Sequence, residues 1–337
     1  MAVATYLLRR IVSIVPVVVG VTFLTFVISH VVVKYPIRLW AGAKASPQLI
    51  AAIAAQYHLN DPLYLQYFYY MSSLFHGDWG VSPVSGVPVL QQIANFFPAT
   101  IELTIAALIL SIVIGIPVGV ISALWNGKRR DYPIRVFYLV GIASPSFLLA
   151  MLFQLIFSSY FRLLPSAGRL SPGLAPPAHI TGMYIVDSLL TGNFVVFRDS
   201  VAHIILPATA LALLTFSIIT RMTRSSMLET LTKDFVRTGR AKGLPRQMVT
   251  YRYVLRNALT STVTVIGFAV QFLLGGTIVI ETIFFWPGIG LYMTRSILAL
   301  DFPSIMGVTV ILTFVVVFTN LLTDLAYGAL DPRVRYE

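Results

Sequence analysis

The side chains that do chemistry in enzymes are sparse in this sequence and badly spaced for it. The five histidines, His30, His58, His76, His179 and His203, form no His-x-x-x-His pair and no His-Glu-x-x-His run, and no tight acidic cluster accompanies them. The chain therefore offers no metal-ligand set. No Gly-x-Ser-x-Gly elbow presents a serine nucleophile. Cysteine is absent, which removes disulfides, thiol nucleophiles and cysteine metal sites. A phosphate loop of the form Gly-x-x-x-x-Gly-Lys-Ser/Thr is also missing, so ATP hydrolysis by this chain is not expected. No catalytic residue is assigned, and intramembrane metalloprotease and serine hydrolase readings are set aside.

Two other constellations remain. The first is a set of polar groups inside long apolar runs: Glu102 and Glu281 near the ends of theirs, Asp324 with Asn320 one turn before it, and Gln154 and Gln271 deeper. Polar and ionisable groups are costly in a bilayer, which makes Gln154, Gln271 and Glu281 candidates to line a solute path. Hydrogen bonding between helices is the alternative role for each. Gly115, Pro117, Gly119 and Pro145 in the same runs indicate helix distortion or close packing.

The second constellation is the polar run Asp234-Phe-Val-Arg-Thr-Gly-Arg-Ala-Lys-Gly-Leu-Pro245, which sits in a basic segment between two apolar stretches. Leu228, Leu231, Phe235 and Gly239 recur at spacings of three and four, predicting one face of a helix that starts near Met227. Gly243 suits the left-handed residue that ends a helix. Pro245 suits the first turn of the next. Residues 221–258 thus read as helix, sharp turn, helix. A loop that merely fixes topology would account for the charge, but not for the stripe or the turn.

The elements around these residues follow from composition. The chain has 337 residues, 57% hydrophobic and 11% charged, with a mean hydropathy of +0.82. Soluble domains carry about 25% charged residues, so a multi-span membrane protein is the direct reading. Six apolar runs approach the ~20 residues a bilayer needs, at 11–33, 101–124, 136–160, 201–220, 259–283 and 304–327. A cleaved signal peptide is the alternative for the first, with Ala41-Gly-Ala43 loosely like a cleavage site. The run exceeds the ~7–15 residues of a signal core, favouring a retained span.

Six spans put both termini on one side. That side collects seventeen basic residues: Arg9, Arg10, Lys128, Arg129, Arg130, Arg135, Arg333, Arg335 and nine within 221–258. The other side has seven: Lys34, Arg38, Lys44, Arg162, Arg169, Arg198 and Arg295. This asymmetry places both termini in the cytoplasm. It also explains the net charge of +11 without nucleic acid. The expected fold is all-α with six transmembrane helices, divided into 1–33 (cytoplasmic N-terminus and first span), 34–100 (extracytoplasmic segment) and 101–337 (membrane core, including the loop at 221–258). Within 34–100, Ser46-Pro47 and Asp61-Pro62 predict two short helices at 47–58 and 62–75, each an N-cap followed by proline, with Gly77 as a stop. The aromatics Tyr64, Tyr67, Phe68, Tyr69 and Tyr70 fit either a small core or membrane-surface belt, or a docking surface for an outer partner. Residues 161–200, rich in Pro and Gly, are expected to be irregular.

Motifs along nearly the whole chain resemble the B-type permease of the dipeptide/oligopeptide/nickel branch of binding-protein-dependent ABC importers. They are Tyr6-Leu-Leu-Arg-Arg10, Asn60-Asp-Pro-Leu63, His76-Gly-Asp-Trp-Gly80, residues 236–244 (Val-Arg-Thr-Gly-Arg-Ala-Lys-Gly-Leu), Leu255-Arg-Asn-Ala-Leu259, Glu281-Thr-Ile-Phe-Phe-Trp-Pro-Gly-Ile-Gly290 and Leu330-Asp-Pro-Arg333. Gly239 departs from the alanine of the branch pattern. The resemblance implies a type I importer permease of the cytoplasmic membrane that pairs with a second, similar permease above two ATPase subunits. It implies an extracytoplasmic solute-binding protein as donor, with ATP and Mg bound by the partner ATPases and no cofactor in this chain. It makes Arg237, Thr238, Gly239, Arg240, Ala241, Lys242, Gly243 and Leu244 the coupling helix that docks on an ATPase. Arg240 and Lys242 either pair there with acidic groups or stay solvated. Members of the branch carry peptides, nickel or, in some lineages, oligosaccharides, and the motifs leave the solute open. A stand-alone secondary transporter is the rival, but it has no need of such a dock.

Overall fold

The computed structural model describes residues 2–28, 45–56, 58 and 60–330. Among these the chain is helical, and its strand content is confined to an isolated bridge between Val81 and Pro88. Ala41-Gly-Ala43, the basic residues Lys34, Arg38, Lys44, Arg333 and Arg335, and the end of the first apolar run lie outside the described residues. The chain divides into two compact units, Met1–Phe97 with Gly288–Phe318, and Pro98–Pro287 with Thr319–Tyr336.

In the first unit, α1 (Ala2–Val27) is followed by α2 (Pro47–Gln56) and α3 (Leu63–Phe75). The two short helices expected at 47–58 and 62–75 are present. Ser46 Oγ accepts the Leu49 N–H at 3.2 Å, as an N-cap does. Asp61 does not play that part. Pro62 occupies the cap position of α3 without a side-chain bond, and the Asp61 carboxylate lies 3.2 Å from His58 Nδ1. Gly77 ends α3 at φ +80°. The aromatic run is split by its contacts. Tyr67 donates to Val19 O and meets Phe23 and Phe26 of α1 edge-on, whereas Tyr64 and Phe68 are exposed. A second apolar cluster joins Val89, Ile93, Ile289, Tyr292 and Val308.

The second unit is built around α8 (Phe194–Leu231), 38 residues long. At ~1.5 Å per residue it runs roughly 57 Å, more than a bilayer core. It is the most enclosed of the long helices, with 67% of its apolar window buried. Against it pack α5 (Asp131–Ala143), α6 (Ser146–Phe153), α7 (Tyr184–Leu190) and α10 (Arg256–Ile283). The helix α4 (Val89–Leu124) meets α8 through its glycines. A Cβ on Gly119 would stand 2.7 Å from Thr223 Cβ and 2.8 Å from Thr220 O, and one on Gly115 3.0 Å from Ile219 Cγ2. These glycines permit close helix approach, the use small residues have in membranes. The second unit also holds α9 (Asp234–Ala241), whereas α11 (Ile289–Leu298) belongs to the first unit and α12 (Phe302–Leu330) has residues in each.

Among the described residues, four helical segments are long and apolar enough to span: Val89–Leu124, Phe194–Leu231, Met248–Ile283 and Phe302–Thr323. The continuous span expected at 136–160 is instead two helical pieces, Asp131–Ala143 and Ser146–Tyr160, bent by 111°. The cause is Pro145, which lacks an N–H and pushes the preceding Ser144 into extended conformation (φ −86°, ψ 132°). Counted as one span, the pair brings the total to five. The described apolar part of α1, Val15–Val27, is shorter than a bilayer span.

Candidate functional site

Where α8 stops, the chain makes a short amphipathic helix. Thr232 turns its hydroxyl back onto Glu229 O at 2.7 Å, and Lys233 becomes extended (φ −69°, ψ 150°) as the N-cap of α9. Asp234 in the first turn and Arg240 in the last complement the helix dipole. The single helix expected from Met227 is therefore two, and the stripe of Leu228, Leu231, Phe235 and Gly239 is divided between them. The anchor of α9 is Val236, only 1% exposed, in a cluster with Val120, Ala123, Met227, Val249, Val254 and Ala258. Phe235 points outward, 42% exposed. Burying a valine contributes about 1.5–3 kcal/mol toward holding α9 on its base.

The outer face of α9 presents Arg237, Thr238, Arg240 and Ala241, followed by Lys242 and Gly243, all exposed; Gly239 and Leu244 are half-buried. Gly243 ends the helix at φ +72°, with its N–H on Arg240 O and the Leu244 N–H on Gly239 O. Leu244 then folds back against the cluster beneath α9. The turn expected at Gly243 is thus present, and helix resumes directly after Pro245, at Arg246 and Gln247, with the Val249 N–H on Pro245 O, before continuing as a π-helical stretch at Met248–Leu255. A cavity of about 510 Å³ lies beside it, lined among others by Leu231, Leu244 and Val249 with Arg240 and Arg246.

The same end of α8 is clamped to α5 by an ion pair between the half-buried Arg224 and the buried Asp131. Arg224 Nη2 donates to Asp131 Oδ2 at 2.9 Å and to Asn126 Oδ1 at 2.7 Å, while Ser122 Oγ donates to Asp131 Oδ1 at 2.5 Å. Nothing in the spacing of these four residues announces this. Asp131 reads in sequence as one more charge beside Arg129 and Arg130.

At the far end of α8 a second polar cluster is enclosed. Arg169, from the irregular segment before α7, donates to Glu102 Oε2 at 2.5 Å and to Gly182 O at 3.0 Å. Its guanidinium lies over Tyr184 (3.6 Å) and Trp286 (5.5 Å). Glu102 also accepts the Ile185 N–H. Glu281 is fully buried and accepts the Thr100 hydroxyl at 2.6 Å, and the indole N–H of Trp286 donates to Ala99 O. The other two candidates lie apart. Gln154, half-buried at the start of a π turn, donates to Ser166 O, and Gln271 donates to Asn320 Oδ1. Both make bonds of the kind that hold helices and loops together. The side chain of Asp324 lies outside the described residues. Among the described residues no group of three or more His, Asp or Glu is placed to hold a metal.

The described residues thus form long apolar helices with a short amphipathic helix where α8 ends. Residues 115–336 match the family described as binding-protein-dependent transport system inner membrane component. Residues 3–104 match the N-terminal model of the same systems' membrane components. The chain belongs to this family. It is a transport subunit and a multi-pass protein of the cytoplasmic membrane. The permease is 45% identical over 318 residues to the probable D,D-dipeptide transport system permease protein DdpB of Escherichia coli K12, covering 94% of each chain. It is 41% identical over 331 residues to the dipeptide transport system permease protein DppB of Alkalihalophilus pseudofirmus, covering 98% of this chain and 99% of that one. Among solved structures, a chain of the MetNI methionine ABC transporter in inward-facing conformations superposes with a TM-score of 0.51. That match has 16% identity and covers 69% of the permease and 93% of that chain, a likeness of fold.

Proposed function

We propose that this permease is one half of the membrane path of a type I ABC importer that brings dipeptides or oligopeptides into the cell. The observation that carries the coupling role is α9, a helix seated by Val236 with a basic, solvent-facing surface where the long helix α8 ends. The names of the dipeptide permeases it is similar to support peptide as the solute. In this reading the permease has six spans, both termini and residues 221–258 are cytoplasmic, and the segment at 34–100 faces outward, as the charge asymmetry implies. The divisions 1–33, 34–100 and 101–337 then correspond to first span, outer insertion and membrane core.

The partners are a second, homologous permease, two ATPase subunits, an extracytoplasmic solute-binding protein and membrane lipid; nucleic acid is not among them. Residues 237–244 dock in a groove on one ATPase. ATP and Mg are held by the ATPases and no cofactor by this chain. ATP binding draws the two ATPases together and moves α9 with them, and the rigid cluster under Val236 passes that movement to α4, α8 and α10 as a two-state, rigid-body change. Gln154, Gln271 and Glu281 are proposed to line the path once the helices part. Glu281 is enclosed in the conformation described and reaches solute only in the opened one.

Cross-linking from single probes at 237–244 tests the docking. Probes at the exposed Arg237, Arg240 and Lys242 should capture an ATPase subunit, and a probe at the buried Val236 should not. Capture from neither set would remove the assignment. Calorimetry of the partner binding protein against peptides and oligosaccharides tests the solute, with peptide binding expected.

A further inference from the structure

We propose that α2 and α3 rest in the outer leaflet of the membrane, with the stripe Tyr64, Phe68, Met71 and Phe75 of α3 set against lipid acyl chains. The orientation proposed above supplies the leaflet; the rest needs only the membrane placement of the chain.

Composition separates this segment from a soluble domain. Between Lys44 and Asp78, Asp61 is the only Asp, Glu, Lys or Arg. Water-soluble domains carry about 25% charged residues, so a segment of this length standing in water would hold several more. The helices are also short. α2 has 10 residues and α3 has 13, below the ~20 that cross a bilayer and in the range of re-entrant or interfacial segments. The lone charge sits in the turn between them, where Asp61 meets His58 and both side chains are exposed. Inside α3, Gln66 turns its amide back onto Asp61 O at 2.7 Å, the internal satisfaction that a water-poor setting demands.

Tyr67 fixes the depth. Its hydroxyl donates to Val19 O at 3.2 Å and lies 3.1 Å from Thr22 Oγ1, and its ring meets Phe23 and Phe26. Thr22 is the middle residue of the apolar run at 11–33. At the helical rise each end of that run is roughly 16 Å away, about half the thickness of the hydrocarbon core. A helix that touches α1 there is within the bilayer rather than above it.

The free face of α3 fits that setting. Tyr64, Phe68, Met71 and Phe75 follow one another at spacings of four, three and four, which is one side of a helix. Tyr64, Phe68 and Phe75 are 73%, 65% and 80% exposed. In water such a stripe invites association. A soluble binding protein docks through a surface with a polar rim, and α3 brings no charge to one. Acyl chains match both the chemistry of the stripe and the depth set by Tyr67. Tyr64, nearest the Asp61 turn, can carry its hydroxyl toward the headgroups.

The test uses the whole complex in vesicles, with the other subunits free of cysteine, because this chain has none of its own. Bimane is attached to Phe68→Cys, Phe75→Cys or, in the turn, Asp61→Cys. Dibrominated phosphatidylcholine should quench the probes at 68 and 75 several-fold more than the probe at 61, and aqueous iodide should show the reverse order. If either stripe variant fails to assemble, Tyr64→Cys reads the same face. Bromolipid quenching on the stripe no greater than at 61 would overturn the proposal. Iodide reaching the stripe would then mean an aqueous face, and protection from both quenchers would mean cover by the second permease or the binding protein. Peptide uptake by the unaltered complex in the same vesicles tests the importer reading separately. Uptake there beside absent bromolipid quenching removes the lipid placement alone.

Discussion

Three residues turn the account into expected outcomes at the smallest scale. Gly243 has φ +72°, and a Cβ there would meet nothing within 4 Å. The demand for glycine is thus conformational rather than steric. Gly243→Ala should cost about 1–2 kcal/mol at the turn and reduce uptake per ATP while membrane insertion stays normal. Gly243→Asn should do less harm, since asparagine tolerates the left-handed region. Gly119 is the opposite case, steric rather than conformational. Gly119→Val would drive a side chain into Thr223, and the melting temperature in detergent should fall by an amount corresponding to about 1–3 kcal/mol. Asp187 carries the pH dependence. Burial pushes its carboxyl up, but the Thr181 hydroxyl and the N–H groups of Thr181, Gly182 and Ile180 outweigh that and hold it below its ordinary value. A depressed folded pKa means stability that is complete above the unfolded carboxylate range, near ~3.9, and lost as pH falls through the folded value. Hydrogen exchange at 180–190 should therefore quicken on acidification through that range, and Asp187→Asn should flatten the response.

At the scale of elements, α9 depends on its seat. Val236→Ala should loosen it by about 2 kcal/mol and lower coupled uptake more than total membrane-inserted protein, which immunoblotting and transport together would show. Much of this element can be read from sequence, because the signals are local. Gly243 marks the helix end, Pro245 bars a continuing turn, and the basic charge marks the solvent side. The break at Thr232–Lys233 cannot be read that way. Leu228, Leu231, Phe235 and Gly239 keep helical spacing across it, and only the hydroxyl of Thr232 turning onto Glu229 O reveals the stop. The bend at Pro145 follows from its missing N–H, yet an apolar run of the right length at 136–160 hides it. The long helices α4 and α8 are plain as apolar runs but extend beyond them, since helices that leave the bilayer no longer need apolar residues. The two ion pairs, Arg169 with Glu102 and Arg224 with Asp131, join residues 67 and 93 positions apart. Spacing within one element carries no trace of such pairing.

For the whole molecule, the proposed arrangement has the basic end with α9 in the cytoplasm and the end with Arg169 outside. Cysteine-scanning fits a chain that contains none. A probe at Lys242 should be reachable only from the cytoplasmic face, and one at the exposed Leu190 only from the outer face; the reverse pattern would invert the assignment. The fold and family are legible in the sequence because motifs recur in order along nearly all of it, whereas the solute is not, because those motifs mark the branch and leave its cargo open. The central claim is that transport through this permease is driven by ATPases docked on α9. Its most direct test is labelled-dipeptide uptake by the reconstituted complex with either intact or catalytically inactivated ATPase subunits. Uptake that requires both the binding protein and intact ATPases is the expected result, and uptake that survives ATPase inactivation would contradict it.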